Sequence, residues 1–234
     1  SVWGIPTADG GLFHTFNTTD VGVEVLASVS NSIPVFIDEL QIAKDRKSFD
    51  EFIYKFAEGV GRTRGAKAGG LQPMKRWANI AITTGEMPIS TANSGGGAVN
   101  RVVEIDCKGQ QLFENPREAV GIMSENYGHA GRMIIDRIQS VPDFKDLIRT
   151  AYNHNMKKLA QEVTGKQANY GAALLVGDAM LCTIVFGNKF KPLKGKDILP
   201  YLATAEMVDT NEKVKDWLVG WVTSNVARFR DDRH

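Results

Sequence analysis

Residues 33–39 read IPVFIDE, a continuous apolar run that stops abruptly at two acids, Asp38 and Glu39. A run of this length without polar alternation is typical of a strand that is buried on both faces of a parallel sheet. The carboxyl edge of such a sheet is where an open α/β fold binds its ligand. The stretch therefore predicts an α/β fold with two carboxylates at that edge. The simpler alternative is a strand that ends in solvated acids before a helix N-terminus.

Two more strands are predicted further along the chain. Residues 77–82, WANIAI, end at Thr83 and Thr84, and residues 101–106, RVVEID, begin with Arg101. Residues 90–98 between them are a Ser- and Gly-rich loop. Within it residues 94–97 lack the spacing of a phosphate-binding loop, and we predict a mobile connection there.

Helices are predicted on both sides of the first strand. Residues 18–31 combine a Thr/Asp cap with apolar residues at helical spacing, and residues 49–56 repeat Phe and Ile at the same spacing. Near the N-terminus, Pro6, Gly10 and Gly11 mark a loop. Together with the strands, this order is the pattern of a doubly wound α/β sheet.

Beyond about residue 112 the pattern becomes helical. Helices are predicted over 119–126, 131–140, 144–163, 169–186 and 212–229. We therefore predict two units, an α/β core over residues 1–123 and a mostly helical unit over residues 124–234.

Bulk composition narrows the class of protein. The 234 residues are 43% hydrophobic, but no uninterrupted apolar run approaches the roughly 18 residues that cross a bilayer. The N-terminus also lacks the order of a secretory signal, which predicts a cytoplasmic protein without a membrane. Cys107 and Cys182 are predicted to be buried small hydrophobes, with neither a zinc site nor a disulfide. With a net charge of +1, any contact with nucleic acid requires a local basic patch.

The segment between the first two predicted strands supplies such a patch. Residues 59–70 form a Gly/Arg/Lys-rich loop that is too polar to pack, and more basic residues follow it. Flexible glycines let basic side chains approach phosphates, which gives sequence-independent, salt-sensitive binding to DNA. A solvated basic loop is the alternative. The candidate DNA contacts are Arg62, Arg64, Lys67, Lys75 and Arg76.

The residues at the strand ends have the types that nucleotide-hydrolysing motors use. In those motors the first acid holds Mg²⁺, usually through water, and the second polarises the attacking water. A hydroxyl of Thr83 or Thr84 beside the acids could orient that water or the terminal phosphate, although Thr also favours strands for packing. Arg101 could reach the nucleotide of a neighbouring subunit, or it could form a surface salt bridge.

The order of these features resembles a family of prophage and mobile-element helicases. That family was long catalogued only as a domain of unknown function, and it includes replicative helicases of staphylococcal cassette elements with an MCM-like AAA+ core. The similarity covers most of residues 1–190. It rests on TTDVG at 18–22, VFIDEL at 35–40, TGE at 84–86, RVVEI at 101–105 and GHAG at 128–131.

The resemblance implies an ATP-driven, Mg²⁺-dependent DNA helicase or translocase that forms a hexameric ring. The fold would be a P-loop NTPase of AAA+ type, with a parallel-sheet core followed by a helical lid. Asp38 and Glu39 match the Walker B acids, with Asp38 on Mg²⁺ through water. Thr84 matches the sensor-1 position, with Thr83 as its alternate, and Arg101 matches the arginine finger, which acts on the adjacent subunit.

Two further matches are less specific. The loop around Arg62 and Arg64 corresponds to the region where such motors place a DNA-gripping hairpin. In the lid, Arg132 and Lys166 are both candidates for the nucleotide-binding sensor-2 residue.

The chain departs from this family at the phosphate-binding loop. No GxxxxGK[ST] motif occurs in it, and in this family the sequence SVWG follows shortly after that motif. We therefore expect Ser1 to begin within an interrupted element of a longer protein, with natural loss as the alternative. Without the loop, affinity for ATP should collapse and this chain alone should be inactive. Two other functions stay open, a non-catalytic DNA-binding or oligomerisation module, and an AAA+ ATPase for DNA packaging or transposition control.

Overall fold

The computed structural model describes residues 2–6, 11–42, 48–67, 69–91, 94–107 and 109–229. Ser1, where an interrupted element was expected, and Gly10 of the first predicted loop lie outside these residues.

A three-stranded parallel sheet lies at the centre of the N-terminal half. Its strands are β1 (Phe13–Thr15), β2 (Val35–Asp38) and β3 (Ala81–Thr83), in the order β1-β2-β3. The register pairs Thr15 with Asp38 and Ile37 with Thr83, so all three strands end at one edge of the sheet. The mixed α/β prediction is thereby confirmed. The sequence did not predict β1, because three half-buried residues are too short for a recognisable pattern.

Helix α1 (Asp20–Ser30) and helix α2 (Ser48–Glu58) confirm the two N-terminal helix predictions. The Thr19 hydroxyl accepts a hydrogen bond from the Gly22 N–H at 3.1 Å and so caps α1. The helices enclose a core of buried side chains above the sheet, and this packing holds the strand ends in place. The core consists of Ala27, Val35, Ile37, Phe56 and Trp77.

Short helix α3 (Gly96–Val99) replaces the predicted mobile connection. It is fixed by burial of Gly96 and Ala98, so the glycines serve close packing rather than mobility.

The C-terminal half is helical, as predicted. The five predicted helices are present with ends that differ by a few residues, and two further helices of four residues each were not predicted. Its elements are α4 (Pro116–Glu125), α5 (His129–Ser140), α6 (Phe144–Leu159), α7 (Gly165–Met180), α8 (Gly195–Ile198), α9 (Ala205–Val208) and α10 (Thr210–Ser224). A π-helical turn, Leu181–Val185, continues α7. The predicted boundary at residues 123 and 124 lies within α4, and the division into two units stays a prediction.

One helix bears on the membrane prediction. Among the described residues, Gly165–Val185 is long and apolar enough to cross a bilayer by length and composition, and 33% of its most apolar window is buried. This helix contains no long uninterrupted apolar run, because Lys166 and Asp178 lie within it, so the sequence did not predict it as a membrane span. Its buried side chains belong to the cluster that contains Leu159, Ile198 and Leu202. A core helix of a helical unit packs in the same way.

Two strand predictions need correction. Within residues 77–82 only Ala81 and Ile82 join a strand. Trp77 instead binds the end of α2, where its indole N–H donates to the Phe56 carbonyl at 2.9 Å. The predicted strand over residues 101–106 is wrong. Arg101 lies in a turn after α3, and residues 102–107 have no regular structure, because Val103 packs against the helical half instead of joining the sheet.

The cysteine prediction is half correct. Cys182 is buried, but Cys107 is exposed because it lies at the end of a segment without regular structure.

Candidate functional site

The carboxyl edge of the sheet brings two of the predicted residues into contact. Asp38 ends β2, and Thr84 directly follows β3. The Thr84 hydroxyl donates a hydrogen bond to Asp38 Oδ1, and the Thr84 N–H donates to the Ile37 carbonyl at 3.3 Å. On the other side of β2, the Phe16 N–H donates to the Asp38 carbonyl at 3.1 Å. Asp38 is therefore held from both neighbouring strands, with a hydroxyl on its carboxylate.

The chain turns sharply at Glu39, the second acid. Its φ is +61°, in the left-handed region that a non-glycine residue adopts only at a cost of roughly 1–3 kcal/mol. The turn is fixed from β3, because the Leu40 N–H donates to the Thr84 carbonyl at 3.1 Å. Gly85 permits this approach, since a Cβ there would lie 2.6 Å from the Leu40 Cβ. Backbone strain of this kind clusters at active sites.

The side chains at this edge suit a hard cation. Asp38 and Glu39 are half-buried carboxylates, and Thr84 adds a hydroxyl oxygen. Among the described residues no three His, Cys, Asp or Glu side chains gather into a metal cage. Mg²⁺ typically uses one or two carboxylates, with waters and substrate phosphates as its other ligands. The donor set thus fits Mg²⁺, which Asp38 and Glu39 would hold together with waters and substrate phosphates.

Arg101 lies in a separate cradle that α2 and α3 form. Its guanidinium carbon lies 4.7 Å from the centroid of the Tyr54 ring, and its Nη1–H donates to the Gly97 carbonyl at 2.6 Å. A Cβ on Gly97 would lie 2.5 Å from Tyr54 Oη, so the cradle requires glycine there. Asp50 also holds α3, because its Oδ2 accepts the Gly95 N–H at 2.9 Å. Arg101 is therefore fixed, but not at the start of a strand as predicted.

The remaining nucleotide-site candidates lie on different elements. Thr83 ends β3, half-buried and paired with Ile37. Arg132 on α5 and Lys166 on α7 are exposed. Their roles at a nucleotide stay predictions.

The basic segment is an ordered hairpin rather than a loop that is too polar to pack. Antiparallel bridges pair Val60 with Arg76 and Gly65 with Leu71. The Gly61 N–H donates to the Lys75 carbonyl at 2.8 Å, which closes its base. We refer to residues 60–67 and 69–76 as the basic arm. The resemblance implied a DNA-gripping hairpin in this region, and contact with DNA stays a prediction.

An acid on α1, which the sequence reading missed, holds the basic arm. Glu24 is 8% exposed, and its carboxylate accepts Arg64 Nη1–H at 2.7 Å and the Arg62 N–H at 3.2 Å. The hydrogen bond from Arg64 lowers the pKa of Glu24, and the same bond raises the pKa of Arg64. The sequence held one signal for this pair. An acid such as Glu24 on the buried face of a helix requires a cationic partner.

The other cations of the arm differ from Arg64 in exposure. Arg62, Lys67 and Arg76 are exposed and Lys75 is half-buried, whereas the Arg64 side chain is 29% exposed and its charge is paired. The contacts available to a polyanion therefore lie at the exposed cations.

Comparison with known proteins agrees with this architecture. A family model described as a domain of unknown function (DUF927) matches residues 1–76, about a third of the 234-residue chain. A solved structure described as SCCmec type IV Cch, an active helicase, is similar to the whole chain with a TM-score of 0.71 and 21% identity. This similarity shows that the two proteins share a fold.

The extent of the match differs between the two proteins. The similarity covers 100% of this chain and 44% of the helicase chain, so this chain spans less than half of that protein's length. No curated protein matches it.

Proposed function

We propose that this chain is part of the motor of an ATP-driven DNA helicase, with hydrolysis at the carboxyl edge of the sheet. The contact between the Thr84 hydroxyl and the Asp38 carboxylate carries the proposal, because it joins two strand ends into one polar site. Asp38 would hold Mg²⁺ through water, Glu39 would polarise the attacking water, and Thr84 would orient it. When bound, Mg²⁺ neutralises charge on the phosphates.

The basic arm supports DNA as the partner. No acid occurs between Glu58 and Glu86, a stretch that includes all five cations of the arm. A hairpin with this charge attracts the phosphate backbone irrespective of sequence. The similarity to a structure described as an active helicase and the match to the DUF927 model point in the same direction.

The finer assignments follow from the resemblance in the sequence. We propose an AAA+ core of MCM-like type in a hexameric, cytoplasmic ring that replicates a mobile element or prophage. Arg101 would act on the nucleotide of the adjacent subunit, where its guanidinium would offset charge on the transferring phosphoryl group. Arg132 or Lys166 would contact the nucleotide from the lid.

DNA-stimulated ATP hydrolysis by the whole gene product that contains this chain tests the proposal. We expect Glu39→Gln to lower kcat by roughly 10²- to 10⁴-fold, because the amide cannot accept the proton of the attacking water. Glu58→Gln, at the exposed end of α2, is the matched control and should hydrolyse ATP like the unaltered protein.

A second candidate is a non-catalytic DNA-binding or oligomerisation module, and the exposed cations of the basic arm favour it because phosphate contacts of this kind need no hydrolysis. A folded, ring-forming gene product that does not hydrolyse ATP would support that module. Hydrolysis that depends on Glu39 without strand displacement would instead indicate DNA packaging or transposition control.

A further inference from the structure

A buried glutamine on α7 binds the backbone on both sides of Arg101. Gln167 is 0% exposed, and its Nε2 amide donates to the Val102 carbonyl at 2.9 Å and to the Val99 carbonyl at 3.4 Å. The side-chain amide therefore spans the turn that carries the arginine.

Other contacts fix the same turn to the helical half. Thr164 caps α7, and its hydroxyl also donates to Asn100 Oδ1. Val103 packs against the buried cluster around Leu159. The residues on either side of Arg101 are thus fixed to the helical half, while Arg101 itself contacts Tyr54 on α2.

Packing alone does not account for a glutamine at this position. Its Oε1 is buried and has no hydrogen-bond partner among the described residues. A buried acceptor without a partner is costly, and a methionine would fill a similar volume without that cost. The distinctive contribution of the amide is its pair of bonds to the Val99 and Val102 carbonyls.

We propose that Gln167, together with Thr164, is a positioning residue for Arg101. By fixing the backbone before and after the arginine, it would hold the guanidinium where it can meet the phosphates of a nucleotide bound by the neighbouring subunit. A displacement of about 1 Å in such a group can cost roughly 10²-fold in rate. This inference rests on the role proposed for Arg101.

The first test compares ATP hydrolysis by variants of the whole gene product. We expect Gln167→Met to lower kcat by about 10- to 100-fold with little change in KM, because the arginine is misplaced rather than the substrate released. In an Arg101→Ala background the same substitution should cause no further loss, since both changes remove one function. Val176→Ala is the control, because Val176 is buried on α7 but does not belong to the cluster that Val103 packs against, and it should keep kcat.

The second test needs no nucleotide. Hydrogen exchange of the backbone amides over residues 98–103 should be faster in Gln167→Met, by about 10-fold, and unchanged in Val176→Ala. If Gln167→Met does not fold, Thr164→Val takes its place, with Thr164→Ser as the variant that keeps the hydroxyl and should behave normally.

The outcomes separate the two ideas. Full hydrolysis by Arg101→Ala would remove the proposed role of the arginine. Loss in Arg101→Ala together with normal kcat and exchange in Gln167→Met would overturn the positioning role alone. Additive losses in the double variant would also overturn it.

Discussion

Arg64 and Arg101 lie in different regions of the molecule, yet the sequence predicts a phosphate contact for both. The structure holds each with groups of its own chain. Arg64 pairs with the Glu24 carboxylate at 2.7 Å, whereas Arg101 lies 4.7 Å from the centre of the Tyr54 ring and bonds to the Gly97 carbonyl. Within the described residues Arg101 has no anionic partner.

Arg64 therefore has a structural role, whereas Arg101 is available to a ligand. Withdrawing Arg64 would leave the Glu24 side chain, which is only 11% exposed, without its counter-ion, and stranding a buried charge costs about 3–5 kcal/mol. Leaving an aromatic ring costs roughly 0.5–1 kcal/mol at a partly exposed site, and giving up the hydrogen bond to the Gly97 carbonyl costs about 1.5–3 kcal/mol. An incoming phosphate replaces that carbonyl as the acceptor and leaves no buried charge without a partner, so it can recruit Arg101 at a lower cost than Arg64.

The largest effect that tests this comparison is on ATP hydrolysis. We expect Arg101→Ala to lower kcat by about 10³-fold, because an arginine that offsets phosphoryl charge contributes 10³ to 10⁵. Arg64→Ala should stay within about 3-fold once folding is matched, since its charge is paired inside the subunit. Steady-state hydrolysis by the whole gene product, at equal folded fractions, measures both.

Mixed rings extend this test to the site of action. Subunits with Arg101→Ala are combined with subunits that carry Glu39→Gln. If Arg101 acts across the interface, some mixed rings regain hydrolysis. No recovery at any ratio, or equal losses from Arg64→Ala and Arg101→Ala, would contradict the assignment.

A smaller effect concerns stability. Glu24→Gln should lower the free energy of unfolding by about 1–2 kcal/mol, because a neutral amide leaves Arg64 without a counter-ion in a partly buried site. Asp20→Asn on the same helix is the matched control. Its pair with Lys55 is exposed, with 76% of the Asp20 side chain accessible, so its loss should cost below about 0.5 kcal/mol. Urea unfolding measures both, and equal losses would refute the special role of Glu24.

The carboxyl edge was predictable from sequence because its signals are local. An apolar run that ends in Asp38 and a strand that ends near Thr84 suffice, since parallel strands finish at the same edge. The longer helices were predictable for the same reason, from spacing alone, whereas the four-residue helices α3, α8 and α9 are too short to show that spacing. Glu24 was not, because its partner lies 40 residues away on the basic arm.

Residues 101–106 misled the prediction because their pattern suits a strand. Val102 and Val103 are β-branched, but β propensity describes fit to a pleated, half-buried surface rather than a pairing partner. Val102 and Val103 contact α7 and the cluster around it instead of another strand, and these helices lie some 60 residues further along the chain. Likewise, the reason for Gly97 becomes visible only when Tyr54 is in place.

The pH dependence of the Glu24 effect sharpens the stability test. Arg64 lowers the pKa of Glu24 in the folded protein below its ordinary value. The ionised Glu24 therefore makes its full contribution to the free energy of unfolding above the pKa of an unfolded glutamate, about 4.3. That contribution is lost as the pH falls through the lower pKa that Glu24 has in the folded protein. The difference in unfolding free energy between the unaltered protein and Glu24→Gln should be constant above about pH 5 and shrink in acid. A difference that grows in acid would contradict the lowered pKa.

The smallest effect compares two cations of the basic arm in DNA binding. Lys67 is exposed, whereas Arg64 is already paired with Glu24. Each phosphate that a protein cation neutralises adds about 0.7–0.9 to the slope of log affinity against log salt concentration. Lys67→Ala should therefore reduce that slope by up to about 0.7–0.9, the value of one phosphate contact. Arg64→Ala should leave the slope unchanged. Titrations of labelled DNA at several salt concentrations measure both slopes. If Arg64→Ala flattens the slope and Lys67→Ala does not, Arg64 exchanges Glu24 for phosphate on DNA, and the pairing in the free chain does not predict which cations bind.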